Sequence, residues 1–248
     1  MLFKSNKFKP IEKYKKINTQ FLVMDGKLIL FEGTDSCGKK TQTALLAEKL
    51  KREGKRVEII HFPTYQKTPL GVFVAKYLKG DFGSKETITP EIGSLFYSLD
   101  RYQFQKEIRE KLKAGINVIA DRYTASNIFQ AAKLEGDERF EIWEWIKALD
   151  NRLPQPDATI VLNVPAKISK ELFSNREKKN ELIEGEKDIH EADLEYQEKV
   201  RKTYLEIAER EGWMIIDCCI ERDGELQFIS PEEIHNKIFR KLKDKEII

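Results

Sequence analysis

Cysteine, histidine and charge of one sign are scarce in this sequence, and each scarcity argues against a class of protein. The 248 residues include three cysteines and three histidines. Three cysteines build no disulfide framework, and sparse thiols are typical of a reducing compartment, so we expect a cytoplasmic location. The scattered cysteines and histidines also give no zinc-ligand spacing. The 44 basic and 42 acidic residues leave a net charge of +2, which argues against a nucleic-acid partner.

Long apolar runs are missing as well. No stretch approaches the roughly 20 consecutive apolar residues that a transmembrane helix needs. Residues 1–26 lack the apolar stretch of a secretory signal and carry six lysines against two acidic residues. We therefore expect no membrane partner, and we interpret residues 1–26 as a basic N-terminal extension ahead of one domain formed by residues 27–248.

Short apolar runs alternate with amphipathic segments over that domain. Val/Ile/Leu-rich runs of this kind are typical of strands that are buried on both faces. Strands are predicted at 28–31, 57–62, 116–120, 158–164 and 213–217. Helices are predicted at 43–50, 90–113 and 194–210, and a last one begins at Ser230. This alternation predicts an α/β fold in which a parallel sheet has helices on both faces.

The segment between the first predicted strand and the first predicted helix is rich in glycine. Its residues are Gly33, Thr34, Asp35, Ser36, Cys37, Gly38, Lys39, Lys40 and Thr41. A glycine loop in this position directs backbone N–H groups and the positive end of the helix dipole at an anion. Lys39 would reach the outer phosphates of a nucleoside triphosphate. The alternative is that the segment is a simple glycine turn that binds no phosphate. One position departs from the usual phosphate-loop pattern, because Lys40 replaces the hydroxyl residue that usually contacts Mg²⁺.

Asp121, Arg122 and Tyr123 follow the third predicted strand. Ligands of open parallel sheets bind beyond the carboxyl ends of the strands, so these residues lie where a site is expected. Asp121 can hold Mg²⁺ through water, and Arg122 can grip a second phosphate with its fork of N–H groups. The alternative is an ion pair at the end of the strand.

Tyr97 and Arg101 are four residues apart on the predicted long helix, which places them on one face. An aromatic ring beside a guanidinium suits a nucleobase and its phosphate. An amphipathic helix with a core tyrosine has the same spacing, so that alternative stays open. Phe62 and Pro63 follow the second predicted strand and would form a wall of the same pocket.

The segment 174–188 is rich in Lys, Glu and Asn. It is either a solvated surface loop or a lid over the phosphates. As part of a lid, Arg176 would neutralise the charge that develops on a transferred phosphoryl group. The alternative is that Arg176 is one surface arginine among many charges.

Taken together, these motifs resemble the thymidylate kinase family. The segments that carry the resemblance are 31–42, Phe62-Pro63, 95–101, 121–123 with Ser126, Pro156-Asp157 and 194–208. The resemblance implies a three-layer P-loop kinase fold with a five-stranded parallel sheet and a short lid at about 174–190. It also implies transfer of the γ-phosphoryl group of ATP to dTMP, giving dTDP and ADP, with Mg²⁺ as cofactor and a homodimer as the assembly.

The resemblance implies a role for each matching residue of the glycine-rich loop and for the metal ligands. Lys39 and the backbone of residues 33–41 would hold the ATP phosphates. Asp35, the carboxylate of the loop, would lie near the sugar 3′-hydroxyl of dTMP. Asp121 and Thr41 are the candidate metal ligands.

On the dTMP side, the resemblance implies that Tyr97 stacks on thymine, that Arg101 reaches the thymine edge and that Arg122 binds the acceptor phosphate. Further residues would line the dTMP pocket, namely Phe62, Pro63, Ser126, Asn127 and Gln130.

Several positions depart from the family pattern. Ser36 stands where one branch of the family has an arginine, so the transition-state cation would come from the lid. Arg176 is the candidate, and the substitutes are Lys178, Lys179 and Lys187. Thr64-Tyr65 and Ile189 occupy two further positions at which arginine is frequent. The departures leave two alternatives open: a kinase of another nucleoside monophosphate or deoxynucleoside, and a nucleotide-binding protein with little catalysis.

Overall fold

A parallel sheet runs through the computed structural model, which describes residues 26–84, 87–177 and 193–248. Its strands are β1 (Leu28–Glu32), β2 (Val57–His61), β3 (Asn117–Asp121), β4 (Ala158–Asn163) and β5 (Met214–Asp217). They lie in the order β2-β3-β1-β4-β5, and every neighbouring pair is parallel. The predicted α/β fold with a five-stranded parallel sheet is therefore confirmed.

Helices cover both faces of the sheet. They are α1 (Lys39–Arg52), α2 (Pro69–Lys79), α3 (Pro90–Tyr102), α4 (Gln105–Lys113), α5 (Ile128–Ala131), α6 (Gly136–Asp150), α7 (Ala166–Glu177), α8 (Leu194–Glu211) and α9 (Pro231–Asp244). A short antiparallel hairpin, β6 (Cys219–Arg222) and β7 (Glu225–Phe228), precedes α9.

The central strand β1 shows why its sequence is uniformly apolar. Ile29 and Phe31 pack in the core that includes α1 and α9, whereas Leu28 and Leu30 pack in the core that includes α4. All four are fully buried, because successive side chains of a strand point to opposite faces and both faces are covered by helices.

The prediction of one long helix at 90–113 was wrong, because two helices, α3 and α4, span this range. The break falls at Gln103 and Phe104. Gln103 Nε2 donates to the carbonyl oxygen of Asp100 at 3.2 Å, so the side chain satisfies part of the end of α3. Phe104 packs edge-to-face on Phe62, with ring centroids 5.5 Å apart. The tertiary contact on Phe62 thus interrupts a pattern that is locally helical.

The helices α2, α5, α6 and α7 and the hairpin were not predicted. The first residues of the predicted lid at about 174–190 form the end of α7. The rest of the predicted lid, after Glu177, lies outside the described residues, and so does most of the extension at 1–26. Among the helices that are described, none combines the length and apolar character needed to cross a bilayer.

Candidate functional site

The glycine-rich loop connects β1 to α1 at the carboxyl edge of the sheet. Gly33 has a φ of +134°, and a Cβ placed on it would lie 2.9 Å from the carbonyl oxygen of Leu162 on β4. Only glycine fits where the loop leaves the sheet. Gly38 directly precedes α1, so the loop ends at a helix N-terminus, where an anion is favoured.

Lys39 is the first residue of α1, and its side chain folds back over the loop. Its ammonium donates to the carbonyl oxygens of Thr34 at 2.6 Å and Gly33 at 3.2 Å. Phosphate oxygens can replace these carbonyls, because both are hydrogen-bond acceptors. Lys40 is exposed, and Thr41 is half-buried one residue further along α1.

Two smaller side chains of the loop are buried. Cys37 is fully buried in the core between the sheet and α1, and its Sγ accepts a weak hydrogen bond from the Lys39 ammonium at 3.7 Å. Thr34 is also buried, and its hydroxyl has no hydrogen-bond partner within the described part of the chain. A buried hydroxyl of this kind suits a ligand that accepts hydrogen bonds. Between them, Ser36 adopts a left-handed backbone with a φ of +57°.

Asp35 joins the loop to the residues that follow β3. Its Oδ1 pairs with the guanidinium of Arg122, whose Nη1 also donates to the carbonyl oxygen of Gly33 at 3.3 Å. Its Oδ2 accepts a hydrogen bond from Nε2 of Gln197 on α8 at 2.9 Å. The amide oxygen of Gln197 in turn accepts from the N–H of Asp35 at 3.4 Å. The carboxylate is therefore oriented from two sides.

Arg122 has a φ of +68°, a left-handed conformation that a non-glycine residue holds only where its surroundings impose it. The fully buried Glu32 fixes this turn, because its carboxylate accepts hydrogen bonds from Tyr123 N at 2.8 Å, Ser126 Oγ at 2.7 Å and Tyr204 OH at 3.0 Å. Burial raises the pKa of Glu32, although these hydrogen bonds and the charge of Arg122 act in the opposite direction.

Asp121 is the last residue of β3 rather than the residue after the strand. Its Oδ2 lies 3.3 Å from Nδ1 of His61, while Oδ1 is buried without a hydrogen-bond partner among the residues described. Burial alone would raise the pKa of Asp121, but the contact with His61 and the charges of Lys39 and Arg122 lower it below its ordinary value. Asp121 is thus an ionised carboxylate with one oxygen left for a cation or its bound water.

A cleft of about 470 Å³, measured to its open mouth, lies beside the loop. Its lining residues are Asp35, Phe62, Pro63, Tyr65, Leu78, Tyr97, Arg101, Arg122, Tyr123, Ser126 and Phe129. The fold therefore brings together most of the residues that were predicted for the dTMP side. Leu78 and Phe129 were missed, whereas Tyr65 and Tyr123 belong to segments that were predicted at this edge of the sheet but were given no role of their own.

Arg101 is buried at the base of this cleft. Its Nη2 donates to Asp150 Oδ2 at 2.7 Å and to Ser98 Oγ at 3.1 Å, and its Nη1 donates to the carbonyl oxygen of Tyr123 at 3.2 Å. Its Nε–H is buried with no hydrogen-bond partner in the described ranges. Most of the guanidinium is therefore held by the protein, and Nε–H is a donor that remains for a ligand. Tyr97 lines the cleft one turn away and meets Tyr77 edge-to-face, with centroids 6.0 Å apart.

Two predicted pocket residues lie behind the cleft rather than in its lining. Asn127 is fully buried, and its Nδ2 donates to Ser98 Oγ at 3.5 Å. Gln130 is also fully buried, and its Nε2 donates to Tyr77 OH at 3.1 Å. Both support the helices that carry the cleft. Ser126 does line the cleft, but its hydroxyl is engaged by Glu32.

The predicted lid cations are the part of the site that the structure does not describe. The backbone of Arg176 belongs to the last turn of α7, whereas its side chain lies outside the described residues. Lys178, Lys179 and Lys187 lie outside them entirely. Their role stays a prediction.

Known proteins are similar to this chain over most of its length. A sequence model of the thymidylate kinase family matches residues 31–221. The thymidylate kinase of Plasmodium falciparum is 32% identical over 219 residues, which cover 88% of this chain and 90% of that protein. The thymidylate kinase of Schizosaccharomyces pombe is 34% identical over 182 residues, which cover 73% of this chain and 81% of that protein.

A solved structure is similar as well. The thymidylate kinase of Candida albicans superimposes with a TM-score of 0.65 at 24% sequence identity, covering 89% of this chain and 92% of that one. At that identity, the likeness shows that the two chains share a fold.

Proposed function

This chain belongs to the thymidylate kinase family, and we propose that it transfers the γ-phosphoryl group of ATP to dTMP, giving dTDP and ADP as a step towards dTTP. As a member of this family it is an ATP-dependent phosphotransferase. The relatives favour dTMP over another acceptor, and they favour catalysis over nucleotide binding alone.

One observation carries the proposal: the phosphate loop and the cleft share residues. Asp35 belongs to the loop and also lines the cleft. Arg122 lines the cleft and contacts the loop through Asp35 and the carbonyl oxygen of Gly33. A nucleotide in the loop and a nucleotide in the cleft would therefore meet at this pair, which is what phosphoryl transfer between them requires.

The chemistry asks the protein mainly for positioning and charge neutralisation. The bond from the γ-phosphorus to the β,γ-bridging oxygen of ATP breaks, and a phosphate oxygen of dTMP forms the new bond to that phosphorus. Lys39 and the start of α1 would stabilise the charge of the ATP phosphates. Arg122 would hold the acceptor phosphate in line, exchanging one of its present acceptors for phosphate oxygens. We propose that Arg176 adds a further cation from the lid.

The residues present fit Mg²⁺ as the cofactor. Within the described ranges, no group of three or more His, Cys, Asp or Glu side chains could form a metal cage. Mg²⁺ needs no such cage, since it is usually held by one or two carboxylates, substrate phosphates and water. Asp121 offers a buried Oδ1 that has no hydrogen-bond partner among the described residues, so it is the better candidate, and Thr41 on α1 is the second. Bound there, Mg²⁺ would neutralise charge on the phosphates.

The cleft walls suit a pyrimidine nucleotide. Tyr97 and Phe62 offer aromatic faces for stacking, and Arg101 offers its buried Nε–H to the edge of the base. Asp35, oriented by Gln197, would accept a hydrogen bond from the sugar 3′-hydroxyl. A thymine N–H or carbonyl that met no partner in this buried pocket would cost binding energy, so the cleft can discriminate between bases.

An acceptor panel tests this proposal. ADP release from ATP would be measured with dTMP, dUMP, dCMP, AMP and UMP, each with and without Mg²⁺. We expect the highest kcat/KM for dTMP and dependence on Mg²⁺. Equal use of all five acceptors, or none, would contradict the proposal.

We also propose a homodimer. Ile92, Leu95 and Leu99 recur at helical spacing on α3 and are 43%, 40% and 45% exposed, and Phe73 of α2 is 44% exposed. A row of exposed large apolar side chains on neighbouring helices is typical of a subunit interface.

The sequence supports three further proposals about the organisation of the chain. We propose that residues 27–248 form one kinase domain, that residues 1–26 are a basic extension and that residues 174–190 act as a lid. We also propose a cytoplasmic location without nucleic-acid or membrane partners.

A further inference from the structure

Asp100 is a buried carboxylate that none of the roles described above uses. It lies on α3 beside Arg101 and is 1% exposed. Its Oδ2 accepts from Thr64 N at 2.8 Å. Its Oδ1 accepts from Thr64 Oγ1 at 2.5 Å, Gln103 Nε2 at 3.1 Å and Thr68 Oγ1 at 3.4 Å. Burying a carboxylate costs free energy unless hydrogen-bond donors satisfy its oxygens. Here the donors satisfy both oxygens of Asp100, so the carboxylate can hold these donors in place.

The donors belong chiefly to one segment, residues 64–68, which leads from β2 to α2. Thr68 caps α2 by accepting a hydrogen bond from Gly71 N at 3.0 Å. A Cβ on Gly71 would lie 2.3 Å from the carbonyl oxygen of Tyr65, so the segment and the helix approach too closely for any other residue. The segment is therefore fixed at both Thr64 and Thr68.

Tyr65 is the residue that this segment presents to the cleft. It lines the cleft and has a φ of +46°. A left-handed conformation costs a residue with a side chain about 1–2 kcal/mol, so the surroundings must impose it. The hydrogen bonds from Thr64 to Asp100 and the close approach of Gly71 are the contacts that flank Tyr65 on either side.

We propose that Asp100 is a positioning residue for the acceptor nucleotide, acting through Thr64 to hold Tyr65 as a wall of the cleft. The proposal rests on the proposed function, in which the cleft binds dTMP. It is separate from the ATP side of the site, because the segment 64–68 contributes no residue to the phosphate loop.

A double-mutant cycle tests the proposal on the full chain. The variants are Asp100→Asn, Tyr65→Ala and their combination, with steady-state KM values for dTMP and ATP and calorimetric dTMP binding as readouts. Asp100→Asn keeps the volume but cannot accept from both donors of Thr64. We expect its KM for dTMP to rise about tenfold while the KM for ATP changes less than about twofold. In the Tyr65→Ala background, Asp100→Asn should add little, because the two residues act in series.

Controls separate positioning from general stability. Glu91→Gln removes an exposed carboxylate from the same helix and should leave both KM values unchanged. If Asp100→Asn does not fold, Thr64→Val removes one of the donors and should raise the KM for dTMP alone. Additive effects in the cycle, equal rises in both KM values, or an unchanged KM for dTMP would overturn the proposal. Lack of dTMP turnover by the unmodified chain would contradict the proposed function instead.

Discussion

Arg122 is the residue at which the two halves of the site meet. Its guanidinium pairs with Asp35 and lies over the ring of Phe129, 5.1 Å from the centroid. Burial alone would lower the pKa of Arg122, but the carboxylates of Asp35, Glu32 and Asp121 help to raise it, so the side chain stays charged. The charge and its planar fork are both available for a phosphate.

Arg122→Lys keeps the charge and removes the fork. We expect kcat/KM for dTMP to fall about 100-fold, because a single ammonium cannot make the paired contacts that orient the acceptor phosphate. Steady-state kinetics on the variant check this. Arg240→Lys, an exposed arginine on α9, is the matched control and should leave activity unchanged. Full activity in Arg122→Lys would remove Arg122 from the mechanism.

Glu32 gives the fold a pH dependence of a defined sign. Because the pKa of Glu32 in the folded chain is raised above its ordinary value of 4.5, the folded state holds this proton more tightly than the unfolded state. Stability from this group is present below about pH 4.5 and is lost as the pH rises through the folded pKa. Glu32→Gln cannot titrate, so urea unfolding from about pH 4 to 8 should show the unmodified chain losing stability relative to the variant. A constant difference between the two would contradict this assignment.

For individual residues, sequence motifs located the charged side chains of the site but not the residues that hold those side chains in position. Asp35 and Arg122 stand in recognisable local patterns. Gln197 reaches Asp35 from 162 residues away, and Glu32 reads as the end of a buried strand. Tyr65 enters the cleft through a left-handed backbone that no propensity indicates. Such contacts are created by the fold, so a single sequence does not reveal them.

Among the elements, the glycine loop is constrained by its shape at Gly33. Gly33→Ala should destabilise the chain by more than about 2 kcal/mol and abolish ATP binding, because the new Cβ meets the backbone of β4. Gly54→Ala also places alanine at a positive φ, of +78°, but meets nothing within 4 Å. It should cost only about 1 kcal/mol and leave ATP binding intact. Urea unfolding and ATP titration distinguish them, and equal effects would contradict the steric argument.

The sequence predicted the strands of the sheet to within a residue or two, because each contains a short apolar run and the inner strands β1, β3 and β4 are buried on both faces. It predicted one helix at 90–113 because the local pattern continues across Gln103 and Phe104. The hairpin of β6 and β7 was not predicted, since its strands are largely exposed and carry charged residues. A hairpin that packs on the domain with one face only has a weak hydrophobic pattern in its sequence.

For the whole molecule, the proposed homodimer places α3 at a subunit interface. Leu95→Glu should convert the dimer to a monomer, because a carboxylate buried in an apolar interface has no partner. Sedimentation equilibrium measures the change in mass. Leu226→Glu alters a similarly exposed leucine on the hairpin and should leave the assembly unchanged. An unmodified chain that is already monomeric would contradict the proposed assembly.

The central claim is that one molecule unites an ATP loop and a dTMP cleft for direct transfer between them. Chromatographic analysis of the products from ATP and dTMP tests this most directly, with Lys39→Met as the inactive control. We expect one dTDP for every ADP in the unmodified chain and neither product above background in the control. ADP formed without dTDP, or no reaction of dTMP at all, would contradict it.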